Sequence, residues 1–434
     1  MKRMTKHLPS QGLRHGRRMT NDERSPNDQM TKHGAESAHR RSDFVIPSGL
    51  IATSAQLAEL LEKIEPVDRV AIDTEADSLH CYREKLCLLQ VSLPVRDRTG
   101  WIERSALDAN LGAEGALVNI ARRSARSTRD YVVDPLADLD LAPLCAVLAQ
   151  KEIVLHGADY DLRLLRRNMN FVPRKIFDTM IAARLLGIRE FSLAALVERF
   201  FGVKLAKGSQ KANWARRPLP ARMTEYAIND THYLLPLADR LESQLREQDR
   251  LDWFRQSCAR AIELAAVERA RDVDETWRIR GSGALRGRAA AVLRALWQWR
   301  EKEAEAADRP PFHILQNHEL LRGAESFAVG NVPDYRYFSP RRRRAFRDAA
   351  QSALQLPDKE WPVSRRRFGT RPSAEVVRRS EELRGRRDRA ARELELEPAF
   401  VAPRATLEAI AADQTRASAL LVPWQQQLLG TPRE

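Results

Sequence analysis

Two carboxylates stand at the end of an apolar segment in this chain of 434 residues. In the segment RVAIDTEA, Asp73 and Glu75 are two residues apart, so on a β-strand their side chains leave the same face. Carboxylates held so close repel one another unless cations neutralise them, as hard divalent ions do. Taken alone, the pair also fits solvated residues in a turn after the strand, which is the more common arrangement.

Three further residues extend this pattern. Asp161 in HGADYDLRLL lies in the first turn of a predicted helix and either faces the sheet edge or stabilises the helix dipole. Tyr226 and Asp230 in MTEYAINDTHYLLPL are four residues apart and share a helix face, which also suits a simple buried hydrogen bond. The whole set favours four carboxylates that bind two divalent cations, Mg²⁺ or Mn²⁺, for phosphodiester hydrolysis. With a phenol pKa near 10, Tyr226 is expected to orient the water rather than act as a base.

Strand and helix patterns alternate around these residues and predict an α/β domain. Thr53 or Ser54 is a start signal for a first helix, and another helix covers LAPLCAVLAQ. The predicted strands are RVAIDTEA, 86–93, 131–134 and 153–156. The predicted later helices are 159–169, 178–187, 192–200 and 221–248.

Composition shifts divide the chain into regions. Residues 1–42 carry ten Lys or Arg against four Asp or Glu and are predicted to form a disordered basic tail. The α/β domain covers 43–250, with an insertion at about 95–130 that has weak strand pattern. The sequence after it has helical period only, and it predicts a helical linker at 251–284, an all-α domain at 285–365 and a looser copy at 366–434.

The overall composition narrows the class of protein. The net charge of +14, from 73 Lys plus Arg against 59 Asp plus Glu, favours a polyanionic partner, nucleic acid before acidic lipid. The chain has no apolar run long enough to span a membrane and no apolar core near its start that is typical of a signal peptide. The four scattered cysteines form no C-x-x-C pair and indicate reduced thiols in the cytoplasm.

Five motifs together resemble a known family. In order they are IDTEA, HGADYDL, FDTMIAARLLG, ANWARRPL and EYAINDTHYLLPL, and they resemble the ribonuclease D branch of the DEDD 3′–5′ exonucleases, tyrosine subtype. The region from 285 resembles the HRDC module, more loosely in its second copy. The resemblance implies a ribonuclease H-like mixed sheet flanked by helices, followed by all-α HRDC-type helical modules.

The same resemblance assigns roles to the acidic residues. It implies that Asp73, Glu75, Asp161 and Asp230 bind the two cations and that Tyr226 orients the water. The implied reaction is 3′-to-5′ hydrolysis of RNA with a single-stranded 3′ end, such as a tRNA precursor, with release of nucleoside 5′-monophosphates. A DNA-directed 3′–5′ exonuclease and a non-catalytic RNA-binding adaptor stay open as alternatives, because no residue is assigned to the 2′-hydroxyl.

Other conspicuous residues have two interpretations each. His156 either contacts a substrate phosphate or is a buried histidine with its hydrogen bonds satisfied. Trp214, Arg216 and Arg217 either stack a base and contact phosphate near the 3′ end, or Trp214 belongs to the core. Asp178 in FDT resembles a helix N-cap, which aspartate favours on physical grounds.

Overall fold

The computed structural model describes residues 50–95, 128–206, 208, 211–267, 275–363 and 372–431. The predicted basic tail at 1–42 and most of the predicted insertion lie outside these residues. The last part of that insertion, 128–130, belongs instead to a strand that begins at Thr128.

A five-stranded mixed sheet forms the centre of the first half of the chain. Its order is β3-β2-β1-β4-β5, with β2 antiparallel to β1 and β3, and β4 parallel to β1 and β5. The strands are β1 (Arg69–Ala76), β2 (Leu86–Pro94), β3 (Thr128–Val133), β4 (Glu152–Leu155) and β5 (Lys175–Asp178). The first four confirm the sequence analysis. Strand β5 was not predicted, because four residues are too short to show a periodic pattern.

Helices cover both faces of the sheet. Helix α1 (Ser54–Ile64) begins where predicted, because the Thr53 side chain accepts a hydrogen bond from the backbone N–H of Gln56 and the Gln56 side chain accepts one from the backbone N–H of Thr53. The next helices are α2 (Ala142–Leu148), α3 (Asp159–Met169), α4 (Thr179–Leu185) and α5 (Leu193–Phe201). Leucines from α1, α2 and α3 enter one continuous hydrophobic core with the strands.

The helix predicted at 221–248 is two helices, α6 (Ala221–His232) and α7 (Leu234–Glu247). The break follows from Pro236, which lacks an N–H and whose ring would clash with the carbonyl of His232 in a continuous helix. Helix α8 (Leu251–Ala266) lies in the region predicted as a helical linker. It buries Phe254 and Cys258 in the same core as the sheet.

The rest of the described chain is helical. Helices α9 (Gly287–Ala306), α10 (Pro311–Ile314), α11 (Asn317–Ala328) and α12 (Pro340–Leu354) enclose a second core around Trp299, Phe327 and Phe346. The last helices are α13 (Ala374–Glu393), α14 (Pro398–Val401), α15 (Arg404–Ala412), α16 (Ala417–Leu420) and α17 (Pro423–Leu429). No helix among the described residues is both long enough and apolar enough to cross a membrane.

The last helices also pack against the α/β half of the chain. The indole of Trp424 in α17 stacks on that of Trp253 in α8, with ring centroids 5.2 Å apart. The indole N–H of Trp424 donates to the Ser257 hydroxyl at 3.0 Å, and Arg250 donates to the carbonyl oxygen of Leu394 at the same distance. Because Trp424 belongs to the main hydrophobic core, this helical region supports the domain that carries the acidic residues.

Candidate active site

Three carboxylates from two elements meet at one end of the sheet. Asp73 and Glu75 come from β1, and Asp230 comes from α6, which lies across the sheet. One carboxylate oxygen from each lies within 4.8 Å of the others, and all three residues are half-buried. The structure therefore agrees with the prediction that Asp73 and Glu75 share a face, and it brings both residues close to Asp230.

The fourth predicted carboxylate, Asp161, lies beside this group and is buried in the first turn of α3. It is outside the set of three that lies within 4.8 Å. The hydroxyl of Thr74, which stands between Asp73 and Glu75 in β1, donates a hydrogen bond to Asp161 Oδ1. Thr74 was missed by the sequence analysis, although a polar residue inside a buried strand is a signal that a partner lies nearby.

Burial raises the pKa of every carboxyl in this cluster, and repulsion from other carboxylates adds to it. Burial is the main cause in each case; it raises the pKa of Glu75 to about 9, with repulsion from Asp230 and Asp161 adding to it. The pKa of Asp73 is raised well above its usual range by burial and by Asp161, Asp230 and Glu75. Burial also raises the pKa of Asp230 to about 7 and that of Asp161 to about 6. Four carboxyls that resist ionisation together form a site that a cation would stabilise.

The donor set fits a hard divalent cation. It consists of carboxylate oxygens, which Mg²⁺ and Mn²⁺ prefer, and the described residues around it place no cysteine or histidine in the group. Asp73, Glu75 and Asp230 would hold such ions, with Asp161 near enough to raise the pKa of Asp73 by its charge.

Tyr226 lies one helical turn before Asp230 and forms a hydrogen bond with its carboxylate, which favours the ionised form of Asp230. The Tyr226 ring is half-buried, and its centroid lies 6.1 Å from that of Trp214. The indole of Trp214 is only 1% exposed, so it packs as core beside the tyrosine. Of the two interpretations of Trp214, the structure favours core packing, because a fully covered ring offers no face to a base.

Asp178 caps α4, as its sequence position indicated, and it does more than that. Its carboxylate accepts from the backbone N–H groups of Met180 and Ile181 in α4. It also accepts from the N–H groups of Gly157 and Ala158 at 3.0 and 2.8 Å. Because Gly157 and Ala158 immediately precede α3, Asp178 sets the position of the helix that carries Asp161.

His156 is tied into this same loop. Its Nδ1 lies 2.9 Å from the hydroxyl of Thr179, which in turn donates to the carbonyl oxygen of Leu155 at 3.0 Å. Because the Thr179 hydroxyl donates elsewhere, Nδ1 is the donor to Thr179, and burial lowers the pKa of His156, which favours the neutral ring. These contacts match the interpretation of a histidine with its hydrogen bonds satisfied.

The two arginines after Trp214, Arg216 and Arg217, differ in their exposure and in their contacts. Arg217 binds the Asp134 carboxylate through Nε and Nη2, at 2.7 and 2.5 Å, and also donates to the carbonyl oxygen of Cys87. These contacts within the chain occupy the guanidinium and do not support the expected role in phosphate binding. Arg216 is exposed, and its predicted contact with substrate remains a prediction.

A buried polar network anchors the end of α6. Ser92 Oγ lies 2.6 Å from Asp130 Oδ1 and 2.7 Å from the Thr231 hydroxyl. The other Asp130 oxygen lies 2.7 Å from His232 Nδ1. The sequence analysis missed these residues, because they lie far apart in the chain and form no local pattern. The network fixes the helix that carries Tyr226 and Asp230.

The fold and the site agree with two family matches. The 3′-5′ exonuclease family matches residues 49–99 and 102–246, and the HRDC domain family matches residues 289–327. Both matches fall in the regions where the sequence analysis expected such domains.

Individual relatives show the same similarity. A ribonuclease D from Zymomonas mobilis is 32% identical over 280 residues, and the match spans 62% of this chain and 62% of the length of that relative. A ribonuclease D from Xanthomonas oryzae is 29% identical over 391 residues, or 87% of this chain and 95% of that one. The crystal structure of Escherichia coli RNase D shares the fold at a TM-score of 0.61 and 21% identity, covering 88% and 96% of the two chains. The resemblance to ribonuclease D is thereby confirmed, and the chain contains a 3′–5′ exonuclease domain of the DEDD type followed by an HRDC domain.

Proposed function

We propose that this chain is a metal-dependent 3′-to-5′ exoribonuclease and that Asp73, Glu75, Asp161 and Asp230 bind its cations. The observation that carries the proposal is the cluster of Asp73, Glu75 and Asp230, whose carboxylate oxygens lie within 4.8 Å of one another. A structural role does not explain this cluster. Burial and repulsion disfavour the ionised form of each of these carboxyls and raise its pKa, so packing alone gives no reason to place them together. The ribonuclease D relatives support the same activity.

The chemistry follows from the arrangement of side chains. Two divalent cations in this cluster would activate the attacking water and stabilise the leaving 3′-oxygen of the scissile phosphodiester. The Tyr226 hydroxyl, hydrogen-bonded to Asp230, orients the attacking water toward the phosphorus. Thr74 holds the Asp161 carboxylate in place, and Asp178 holds the loop before α3. The products are nucleoside 5′-monophosphates.

The substrate end is single-stranded RNA. A terminal nucleotide must reach half-buried carboxylates between β1 and α6, and a base inside a duplex cannot do so without leaving its stack. The names of the relatives point to RNA rather than DNA, and precursors of tRNA with 3′ extensions are the class we propose. The net charge of +14 suits a polyanionic substrate.

The test is a time course on end-labelled RNA and DNA oligonucleotides of the same sequence, each with a single-stranded 3′ tail. Each reaction contains Mg²⁺, Mn²⁺ or EDTA, with the unaltered chain, the Asp73→Ala variant or the Asp138→Ala variant. Asp138 is an exposed aspartate outside the cluster and serves as the matched control. The expected result is stepwise shortening of RNA that requires a divalent cation and is lost only in Asp73→Ala.

Each other outcome contradicts a stated part of the proposal. Equal shortening of DNA would show a DNA-directed exonuclease and overturn the RNA preference. Binding of RNA without shortening, in every metal condition, would overturn the enzymatic function and favour an RNA-binding adaptor. Shortening that persists in EDTA would overturn the role of the carboxylate cluster.

A further inference from the structure

One fully buried amide lies beside the carboxylate cluster without a hydrogen-bond partner. Gln90, in the middle of β2, is 0% exposed, and among the described residues neither its Nε2 nor its Oε1 has a partner. Buried side-chain amides in folded proteins are nearly always bonded, since desolvation without a partner costs stability. A buried amide without a partner at this position therefore indicates a functional role.

The strand register places Gln90 opposite a proposed metal ligand. In the antiparallel pairing of β1 and β2, Gln90 is the direct partner of Asp73, and on its other side it faces Val132 of β3. Side chains of directly opposed residues in antiparallel strands share one face, with Cβ atoms about 4.5–5.5 Å apart. The amide and the Asp73 carboxylate therefore leave the sheet side by side.

Helix α6 covers this face. Ser92, two residues from Gln90 on β2, points to the same face and lies 2.7 Å from the Thr231 hydroxyl of α6. Asp73, the cross-strand neighbour of Gln90, also meets Asp230 of α6 in the carboxylate cluster, so Gln90 lies close to the part of α6 that carries Asp230.

The chemistry of an amide suits this location. Its N–H groups donate to a carboxylate without adding charge, whereas a lysine would compete with a cation and a glutamate would add to the repulsion. We propose that Gln90 is a positioning residue: its amide has no partner among the described residues, and with cations bound its Nε2 would donate a hydrogen bond to the neighbouring Asp73 carboxylate and orient it. The inference rests on the proposed function. It adds a hydrogen-bond partner for one of the proposed cation ligands, Asp73.

The experiment measures Mn²⁺ binding by isothermal titration calorimetry and thermal unfolding in EDTA, so that neither readout depends on nuclease activity. It compares the unaltered chain with Gln90→Met, Gln90→Leu and Gln90→Asn. The matched control is Gln426→Met, because Gln426 is also buried but its Nε2 donates to the carbonyl oxygen of Leu421 at 3.0 Å. Gln426 lies in α17, outside the proposed site.

We expect Gln90→Met and Gln90→Leu to bind Mn²⁺ roughly 10- to 100-fold more weakly, as is typical when the outer partner of a ligand is lost. Their unfolding temperature in EDTA should be unchanged or higher, since an unpaired buried amide is removed. Gln90→Asn, which keeps a shorter amide, should bind with intermediate affinity. Gln426→Met should show the opposite pattern, with lower stability and unchanged Mn²⁺ affinity.

Two results would overturn the inference. One is that both apolar variants bind Mn²⁺ with an affinity within about twofold of the unaltered chain, because loss of a residue that orients a metal ligand should weaken binding more than that. The other is loss of folding in both variants, which would show that the metal-free fold itself requires the amide. If the unaltered chain binds no Mn²⁺, the proposed function fails first, and this outcome is distinct from a failure confined to Gln90.

Discussion

Nδ1 of His232 lies 2.7 Å from Oδ2 of Asp130, and this contact fastens the last residue of α6 to β3, the edge strand of the sheet. Both side chains are buried. The same helix carries Asp230 two residues earlier and Tyr226 six residues earlier, so the contact determines where the site residues lie over the sheet. Stability and activity should therefore respond together when it is broken.

We expect Asp130→Ala to lower the free energy of unfolding by about 3 kcal/mol, because it removes the buried carboxylate that is hydrogen-bonded to both Ser92 and His232. The turnover number on RNA should fall as well, since α6 loses its anchor. Urea unfolding and initial rates measure both effects. Glu408→Ala, which removes an exposed ion pair with Arg404, is the control and should cost less than about 1 kcal/mol. Equal losses in the two variants would contradict the anchoring role.

Asp178→Ala should be among the more destabilising single changes near the site. It removes the cap of α4 and leaves the N–H groups of Gly157 and Ala158 without an acceptor, a loss of about 3 kcal/mol. Because α3 follows directly, activity should fall further than stability accounts for. Chemical denaturation and rates at a temperature where the variant is fully folded separate the two effects. Unchanged activity in the folded variant would argue against the positioning of Asp161 through this loop.

Neutralising one carboxyl of the cluster should stabilise the metal-free protein and inactivate it. In Asp73→Asn the repulsion among buried carboxylates is reduced, so we expect a gain of about 1 to 2 kcal/mol in EDTA at pH 8. The rate on RNA should fall roughly 10³-fold. Thermal unfolding in EDTA and a single-turnover assay measure the two quantities. Asp138→Asn, on the surface, should change neither, and a loss of stability in Asp73→Asn would count against the repulsion.

The stability of the metal-free protein should fall as the pH rises. The pKa values of Asp161, Asp230 and Glu75 in the folded chain, about 6, 7 and 9, lie above those of the unfolded chain, about 4. The folded state therefore retains protons that the unfolded state has released, and stability is lost as pH rises through this window. Unfolding temperatures in EDTA between pH 5 and pH 9 test the slope.

Divalent cations should reverse that pH dependence. Protons and cations compete for the same carboxylates, so Mn²⁺ should bind more tightly, and stabilise more, at pH 8.5 than at pH 5.5. The difference between unfolding temperatures with Mn²⁺ and with EDTA measures the effect. A stabilisation by Mn²⁺ that is independent of pH would place the bound ion elsewhere.

Tyr226→Phe should slow the reaction with little effect on substrate binding. The phenol hydroxyl is expected to orient the attacking water, so the turnover number should fall roughly 10²-fold while KM for RNA changes little. The variant also loses the hydrogen bond to Asp230, which raises the pKa of that carboxyl in the metal-free protein. Tyr131→Phe, in β3, is the matched control. A rise in KM without a change in the turnover number would contradict the role in catalysis.

Elements with strong local signals were predictable. The helix start signal at Thr53 or Ser54 and the apolar runs of β1 and β2 are properties of a few adjacent residues, and the structure confirms them. Local pattern was insufficient for β5, which is held by pairing with β4, and for the burial of α8, which was predicted to be helical but only as part of a linker. The division at Tyr233 was overlooked, although Pro236 carries the signal in the sequence.

The sequence by itself determined which residues we propose for the chemistry: three aspartates, one glutamate and a tyrosine, in an order and on elements that indicate a cation site. Carboxylates beside an apolar strand are recognisable in a sequence, because burying charged groups is unfavourable and their presence there indicates a function. The tertiary structure decided which groups support them. Thr74 meets Asp161 across 87 residues, and Arg217 meets Asp134 across 83.

Such pairings depend on how the strands and helices pack, which no local spacing encodes. For the same reason the sequence left Trp214 open between core and substrate, and burial against Tyr226 placed it in the core. Gln90 is the clearest case, since its type and position in an apolar strand have no evident meaning until the register sets it opposite Asp73. Hydrogen-bond partners are chosen by three-dimensional proximity, and only the folded chain brings them within reach.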